Sequence, residues 1–264
     1  MTGSNRMPAR QVIIHGDCWP VVSAVAHLSR AVLPGCECET TYTLPELLQQ
    51  LHRKPEAMLV LCLRPREHIF LFYALKEVLL YHPALVISDE LLFSDRVVLH
   101  NWGELPAVLH QELTVIVTRI RQHEKLSSRV KNRLTSFLAD PKPATGLFAV
   151  PLIFNHPKRL MNYMALLMFR ATVNCGITPE QQKLLEEVYK GQYSLSEMTA
   201  VLNRNEKQIW QDKYRLLVKL GMKNRLYELL YGTRFCPEKQ RTAFIPPDEI
   251  NNMYGFEDSG RQKE

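Results

Sequence analysis

Where the first apolar run of the chain ends, His15-Gly16-Asp17-Cys18 brings together an imidazole, a carboxylate and a thiol. Nucleophilic catalysis needs these three types, but it needs them converging on one point. Consecutive residues at a strand end point to alternating sides, so this triplet cannot line up as nucleophile, base and orienting group. The remaining candidates are weaker. His52, His68, His82 and His110 have no carboxylate motif at helical spacing, and no glycine-rich phosphate loop is present. The six cysteines form no CxxC pair, and Cys36-Glu-Cys38 lacks a second ligand pair for zinc. The expectation is a non-enzyme with no metal and no cofactor.

The remaining chemistry is that of binding, and it concentrates in Asn205 to Arg225. An Asn cap opens this stretch and Gly221 closes it. At about 100° per residue, Ile209, Leu216 and Leu220 share one sector with Leu217 on its edge. Lys207, Gln211, Tyr214, Arg215 and Val218 gather opposite. From Arg204 to Arg225 seven basic residues stand against two acidic ones, a local balance of +5 in a chain of formal charge +6. A basic, amide-bearing wet face is what a major-groove reading helix needs.

The elements before it would position such a helix. Thr178-Pro179-Glu180-Gln181 is a helix start, followed by Leu184, Leu185 and Val188 as an apolar stripe. Ser194-x-x-Glu197 is a second start, with Leu195, Met198, Val201 and Leu202 on the apolar side. The turn Asn203-Arg204-Asn205 leads into the basic helix, and a last helix is expected over 225–231. Short helix, tight turn and second helix make a helix-turn-helix.

On these residues, and most specifically on Lys219-Leu220-Gly221-Met222-Lys223-Asn224-Arg225, the chain resembles the four-helix DNA-binding domain of LuxR/FixJ-type transcription regulators. The resemblance covers about a fifth of the chain strongly, and Glu206, Lys207 and Ile209 match the start of that family's recognition helix. It implies Lys207, Gln208 and Gln211 nearest base edges, with Trp210, Tyr214 and Arg215 beside them. Lys219, Lys223 and Arg225 would meet the DNA backbone or the supporting fold. The departures are Ser196 for the family's lysine, Asn203 for its glycine before the turn, and Trp210 and Tyr214 at positions often filled by polar contacts.

Ahead of this domain, strand and helix patterns alternate. Strands are expected at 11–14, 36–43, 57–63, 84–88 and 96–100, and helices at 21–33, 47–52, 69–81 and 104–123. The pattern argues for an α/β layer with a parallel sheet. An α/β unit before this kind of helix-turn-helix looks like a response-regulator receiver, a family that needs an acidic pair after the first strand and an Asp after the third. It also needs a hydroxyl after the fourth strand and a Lys after the fifth. Gly16 and Asp17 leave one carboxylate; Cys62, Leu63 and Arg64 offer none; Ser88 supplies a hydroxyl; nothing near His100 supplies the Lys. The segment between the fourth and fifth strands looks too short for a helix. A degenerate receiver without phosphoryl chemistry is the expectation.

The fold class expected is therefore an α/β receiver-like N-terminal domain (1–123) plus an all-α four-helix helix-turn-helix domain (176–232). An interaction region (124–175), with the Met-rich apolar run 160–169, would join them, and a poorly ordered polar tail (233–264) would follow. With 264 residues, 46% hydrophobic content, no leader in MTGSNRMPAR and no long apolar run, the expected place is the cytoplasm. The expected activity is DNA-binding transcription regulation without phosphorylation, the partners being double-stranded DNA and a homo- or heterodimer mate of related type. The alternative is a co-regulator that binds another regulator and leaves DNA untouched.

Overall fold

The computed structural model describes residues 10–121, 132–190, 195–223 and 226–254. Along the first part run β1 (Gln11–Gly16), α1 (Trp19–Val32), β2 (Glu37–Thr41), α2 (Leu44–Arg53) and β3 (Met58–Cys62). Next come α3 (Ile69–Ala74), α4 (Lys76–Tyr81), β4 (Ala84–Ser88), α5 (Phe93–Asn101), β5 (Ala107–Leu109), α6 (His110–Arg121) and α7 (Arg133–Ala139). The second part holds α8 (Pro157–Asn174), α9 (Pro179–Lys190), α10 (Leu195–Leu202), α11 (Glu206–Lys219), α12 (Leu226–Gly232) and α13 (Pro247–Tyr254).

Two compact units result: residues 1–90, 99–156 and 240–264, and residues 91–98 and 157–239. The first is an α/β unit whose five parallel strands run in the order β2-β1-β3-β4-β5. Alternation along the strands feeds two apolar faces. Val12, Ile14, Met58, Val60, Leu85 and Ile87 enter one core with Val22 and Val25 of α1, Ile116 of α6 and Leu134 of α7. Ile13, Leu59, Leu61 and Val86 point the other way and are equally buried. Thr43 caps α2 reciprocally with Glu46, so that Leu44, Leu47, Leu48 and Leu51 are buried.

Several expectations for this unit are corrected. Residues 96–100 are helical, within α5, and there is room for a helix between β4 and β5. Asp95 accepts a hydrogen bond from the Leu92 N–H at 2.8 Å, which starts a helix that the β-branched pair Val97-Val98 disguises. The fifth strand is the three-residue Ala107–Leu109, so the helix expected from Glu104 begins only at His110. The residue after that strand is thus His110. Residues 124–175 are not a region of their own: 132–156 belong to the α/β unit and 157–174 form α8 of the helical one.

The tail is the largest correction. Residues 240–254 return to the α/β unit instead of trailing as a poorly ordered end. Gln240 donates to Arg66 O at 2.8 Å and accepts from Ile69 N at 2.9 Å, Phe244 packs edge-on to Phe70 and stacks on Tyr73, and Ile250 of α13 is buried.

In the helical unit, Phe93 and Val97 join Met168, Leu185, Leu216, Leu217, Leu220 and Leu229 in one core. Reciprocal bonds between Thr178 and Gln181 start α9, as its sequence predicts. The capping role expected of Ser194 lies outside the described residues.

Candidate functional site

The helix-turn-helix consists of α10, a turn and α11. Asn203 turns the chain with φ of 50°, the left-handed region where glycine is usual and asparagine is tolerated. Asn205 then caps α11: its Oδ1 accepts from Gln208 N at 2.9 Å, and Gln208 Oε1 accepts from Asn205 N at 3.1 Å. At the other end Gly221, with φ of 58°, lets Met222 N reach Leu217 O at 2.9 Å and Gly221 N reach Val218 O at 3.0 Å, a Schellman stop. The Arg96 guanidinium donates to the carbonyls of Leu220 and Gly221, satisfying the end of the same helix.

These two ends set the rotation of α11. Ile209, Leu216, Leu217 and Leu220 are buried, while Lys207, Gln208, Trp210, Gln211, Tyr214, Arg215 and Val218 are exposed. Trp210 and Tyr214 are each 55% exposed, one turn apart, and with Val218 form an apolar ridge. Lys207 and Gln211 line a shallow hollow beside Trp210 and Glu206. Lys207 and Arg215 make no ion pair with the described residues.

The structure divides the remaining predicted residues by role. Lys219 Nζ donates to Gln181 Oε1 at 2.9 Å and to the Gly176 carbonyl, so it ties α11 to α9. Gln208 spends its side-chain oxygen on the cap. Lys223 is exposed, while its backbone N–H bonds the Glu228 carboxylate. Arg204, part of the basic count, is paired with Asp212. Arg225 lies outside the described residues. The free positive charge on this face is therefore smaller than the sequence count suggests, and it centres on Lys207 and Arg215.

A second cluster sits at the carboxyl ends of β1, β3 and β4, the crevice where open α/β sheets of this strand order place their ligands. Asp17, Cys18, Arg64, Ser88, Asp89 and His110 line it with Glu67 and Arg241. Every carboxylate there faces a guanidinium. Arg64 bonds Asp89 at 2.9 Å and Glu67 at 3.2 Å, and Arg241 bonds Asp17 and, at 2.9 Å, Glu67. His68 Nε2 also stands 3.5 Å from Asp17. His68 and Arg241 together hold the Asp17 carboxyl well below the usual carboxylate range, against the opposing effect of burial. Ser88 donates its hydroxyl to Glu90 O at 2.8 Å.

A magnesium ion of the receiver kind does not fit these residues. A side chain at Gly16 would bring its Cβ to 2.4 Å from Cys62 O, so no second carboxylate can stand there without a backbone shift. Asp17, the carboxylate that remains, is already neutralised by Arg241. Glu67, Asp89 and Arg241 are the participants that sequence reading missed, since each is brought in from a different element.

Next to β1, His15 is buried and its Nδ1 lies 3.1 Å from Thr41 Oγ1. Burial, reinforced by the neighbouring His68, pushes its pKa down to about 4.

The class this fold defines is a receiver-like α/β domain combined with a helix-turn-helix domain. No family model matches the chain, and no curated protein does. Solved structures similar to it include the complex of the two-component response regulator RcsB with DNA: 16% identity, 84% of this chain and 97% of that one covered, TM-score 0.49. RcsB from Salmonella enterica serovar Typhimurium bound to the rprA promoter with phosphomimetic BeF3- is 18% identical over 84% of this chain and 97% of that one, TM-score 0.46. The response regulator StyR is 16% identical over 84% and 97%, TM-score 0.32.

Proposed function

We propose that the protein is a DNA-binding transcription regulator that places α11 in the major groove and works without phosphorylation. The observation that carries this reading is the rotation of α11. Its capping box and Schellman stop turn Lys207, Gln211 and Arg215 to solvent while the apolar stripe is buried. Gln211 then offers an amide to an adenine edge, Lys207 and Arg215 offer cations to phosphate or guanine, and Trp210 and Tyr214 offer apolar surface to thymine methyl groups. Independence from phosphoryl donors is supported by Arg64, which stands after β3 where an acceptor carboxylate would be required.

Because Trp210 and Tyr214 replace polar contacts, one domain alone binds weakly, and a dimer mate on the neighbouring half-site raises occupancy through effective concentration. That mate is a second copy or a related regulator with a fully polar reading helix. The same Trp210–Tyr214–Val218 ridge favours a second reading, a co-regulator that docks α11 on another protein. Footprinting of wild type, Gln211→Ala and Lys207→Ala, alone and with candidate partners, separates the two. Unchanged promoter occupancy in both variants rejects DNA reading by this helix.

A further inference from the structure

The acidic crevice of the α/β unit has an occupant that belongs to neither receiver chemistry nor DNA reading. Residues 240–244 pass beside it in a defined register, and Arg241 lines it. Gln240 exchanges two hydrogen bonds with the backbone of residues 66 and 69, as a peptide ligand does with its groove. Arg241 N donates to Glu67 O at 2.8 Å, while its guanidinium bridges Asp17 and Glu67. Thr242 Oγ1 lies 2.9 Å from His68 Nδ1. Three residues past the arginine, Phe244 inserts between Phe70 and Tyr73 with ring centroids at 5.5 and 5.8 Å. The Glu67 side chain is only 9% exposed, so its charge requires a cation at this place.

We propose that the carboxyl end of this sheet is a peptide-docking groove whose resident ligand is the chain's own segment 240–244, with Arg241 as its permanent cation. Where a receiver recruits a metal ion and a phosphoryl group to change state, this unit is held in one liganded state by a strap encoded in the same chain. Two guanidiniums are shared among three carboxylates, and Glu67 touches both of them. Asp17 and Glu67 face Arg241, while Asp89 faces Arg64.

Hydrogen exchange of the full-length chain tests this directly. The amides of Ile69 and Arg241 should be protected in the wild type, since both donate to the partners described. R241Q and D17N should each speed their exchange about fivefold, the scale of a half-exposed ion pair. The double variant should be no faster than R241Q, because that substitution already takes the guanidinium from Asp17 as well as from Glu67. F244A leaves every charge in place and should release the same amides about tenfold, from lost apolar burial. Exchange of the β1 and β3 amides reports in each case whether the sheet itself is intact. Unprotected Arg241 in the wild type overturns the proposal, as do additive effects of D17N and R241Q. Release of the strap by magnesium ions in the wild type overturns it too, because the crevice would then prefer a metal to its own guanidinium.

Discussion

The crevice at the carboxyl end of the sheet and the outer face of α11 are both rich in charge, but they use it in opposite ways. In the crevice, Asp17, Glu67 and Asp89 each bond Arg64 or Arg241. On α11, Lys207 and Arg215 stand in water beside Trp210 and Tyr214, while Lys219, and Arg204 just before the helix, pair within the fold. Self-pairing stabilises one conformation; exposure gives up that pairing and keeps the charges available to a partner. The contrast is a ground for the proposal that the working surface lies on the helical unit.

The sharpest way to break the comparison is to remove the scaffold of α11 alone. Leu216 is fully buried among Phe93, Met168 and Leu185, so Leu216→Ala should cost about 2–5 kcal/mol and abolish DNA retention. Chemical denaturation followed by hydrogen exchange should find the loss in residues 157–239, with the β-strand amides unaffected.

Acid should act on the other region. The unfolded chain takes up a proton at His15 near pH 6.5, while the folded chain resists until about pH 4. Protons then bind the unfolded state preferentially, so stability falls as pH drops through this window, by about 3 kcal/mol in total. Asp17 adds a loss of the same sign below about pH 4, where the unfolded carboxyl protonates first. Urea midpoints measured from pH 7 to 4 should show this slope in the wild type and a flatter one in His15→Gln.

On the exposed face of α11 smaller effects are expected. Gln211→Ala should cost about 1–3 kcal/mol at one base pair and relax preference there. Lys207→Ala should weaken all sequences alike and reduce the salt dependence of binding. Competition footprints at two salt concentrations distinguish base reading from phosphate attraction. The smallest effect is none at all: acetyl phosphate with magnesium should add no mass and leave the oligomeric state unchanged. A stable acid-labile adduct on Asp17 or Asp89 would erase the contrast between the regions.

How much of this was legible beforehand follows from the range of the interactions. The α11 boundaries were readable because cap, stripe and glycine stop all lie within one helix length. Strands β1, β3 and β4 were readable because each carries its own apolar run. Helix α5 was misread: Val97-Val98-Leu99 has strand propensity, and only its place beside Met168 and Leu216 makes the helix worthwhile. Strand β5, at three residues, is too short to show a period.

By itself, then, the sequence determined the alternation of strands and helices and the presence of a capped basic helix after a tight turn. These are properties of neighbouring residues, set by dihedral preference, capping and periodicity. The tertiary structure alone decided that Lys219 and Arg204 pair within the fold. It also decided that Arg96 closes α11 from 124 positions away, and that Arg241 crosses 224 positions to meet Asp17. Pairings at such separations leave no periodic signal along the chain, because their energy depends on where folding brings two distant backbones and on how much water is left between them.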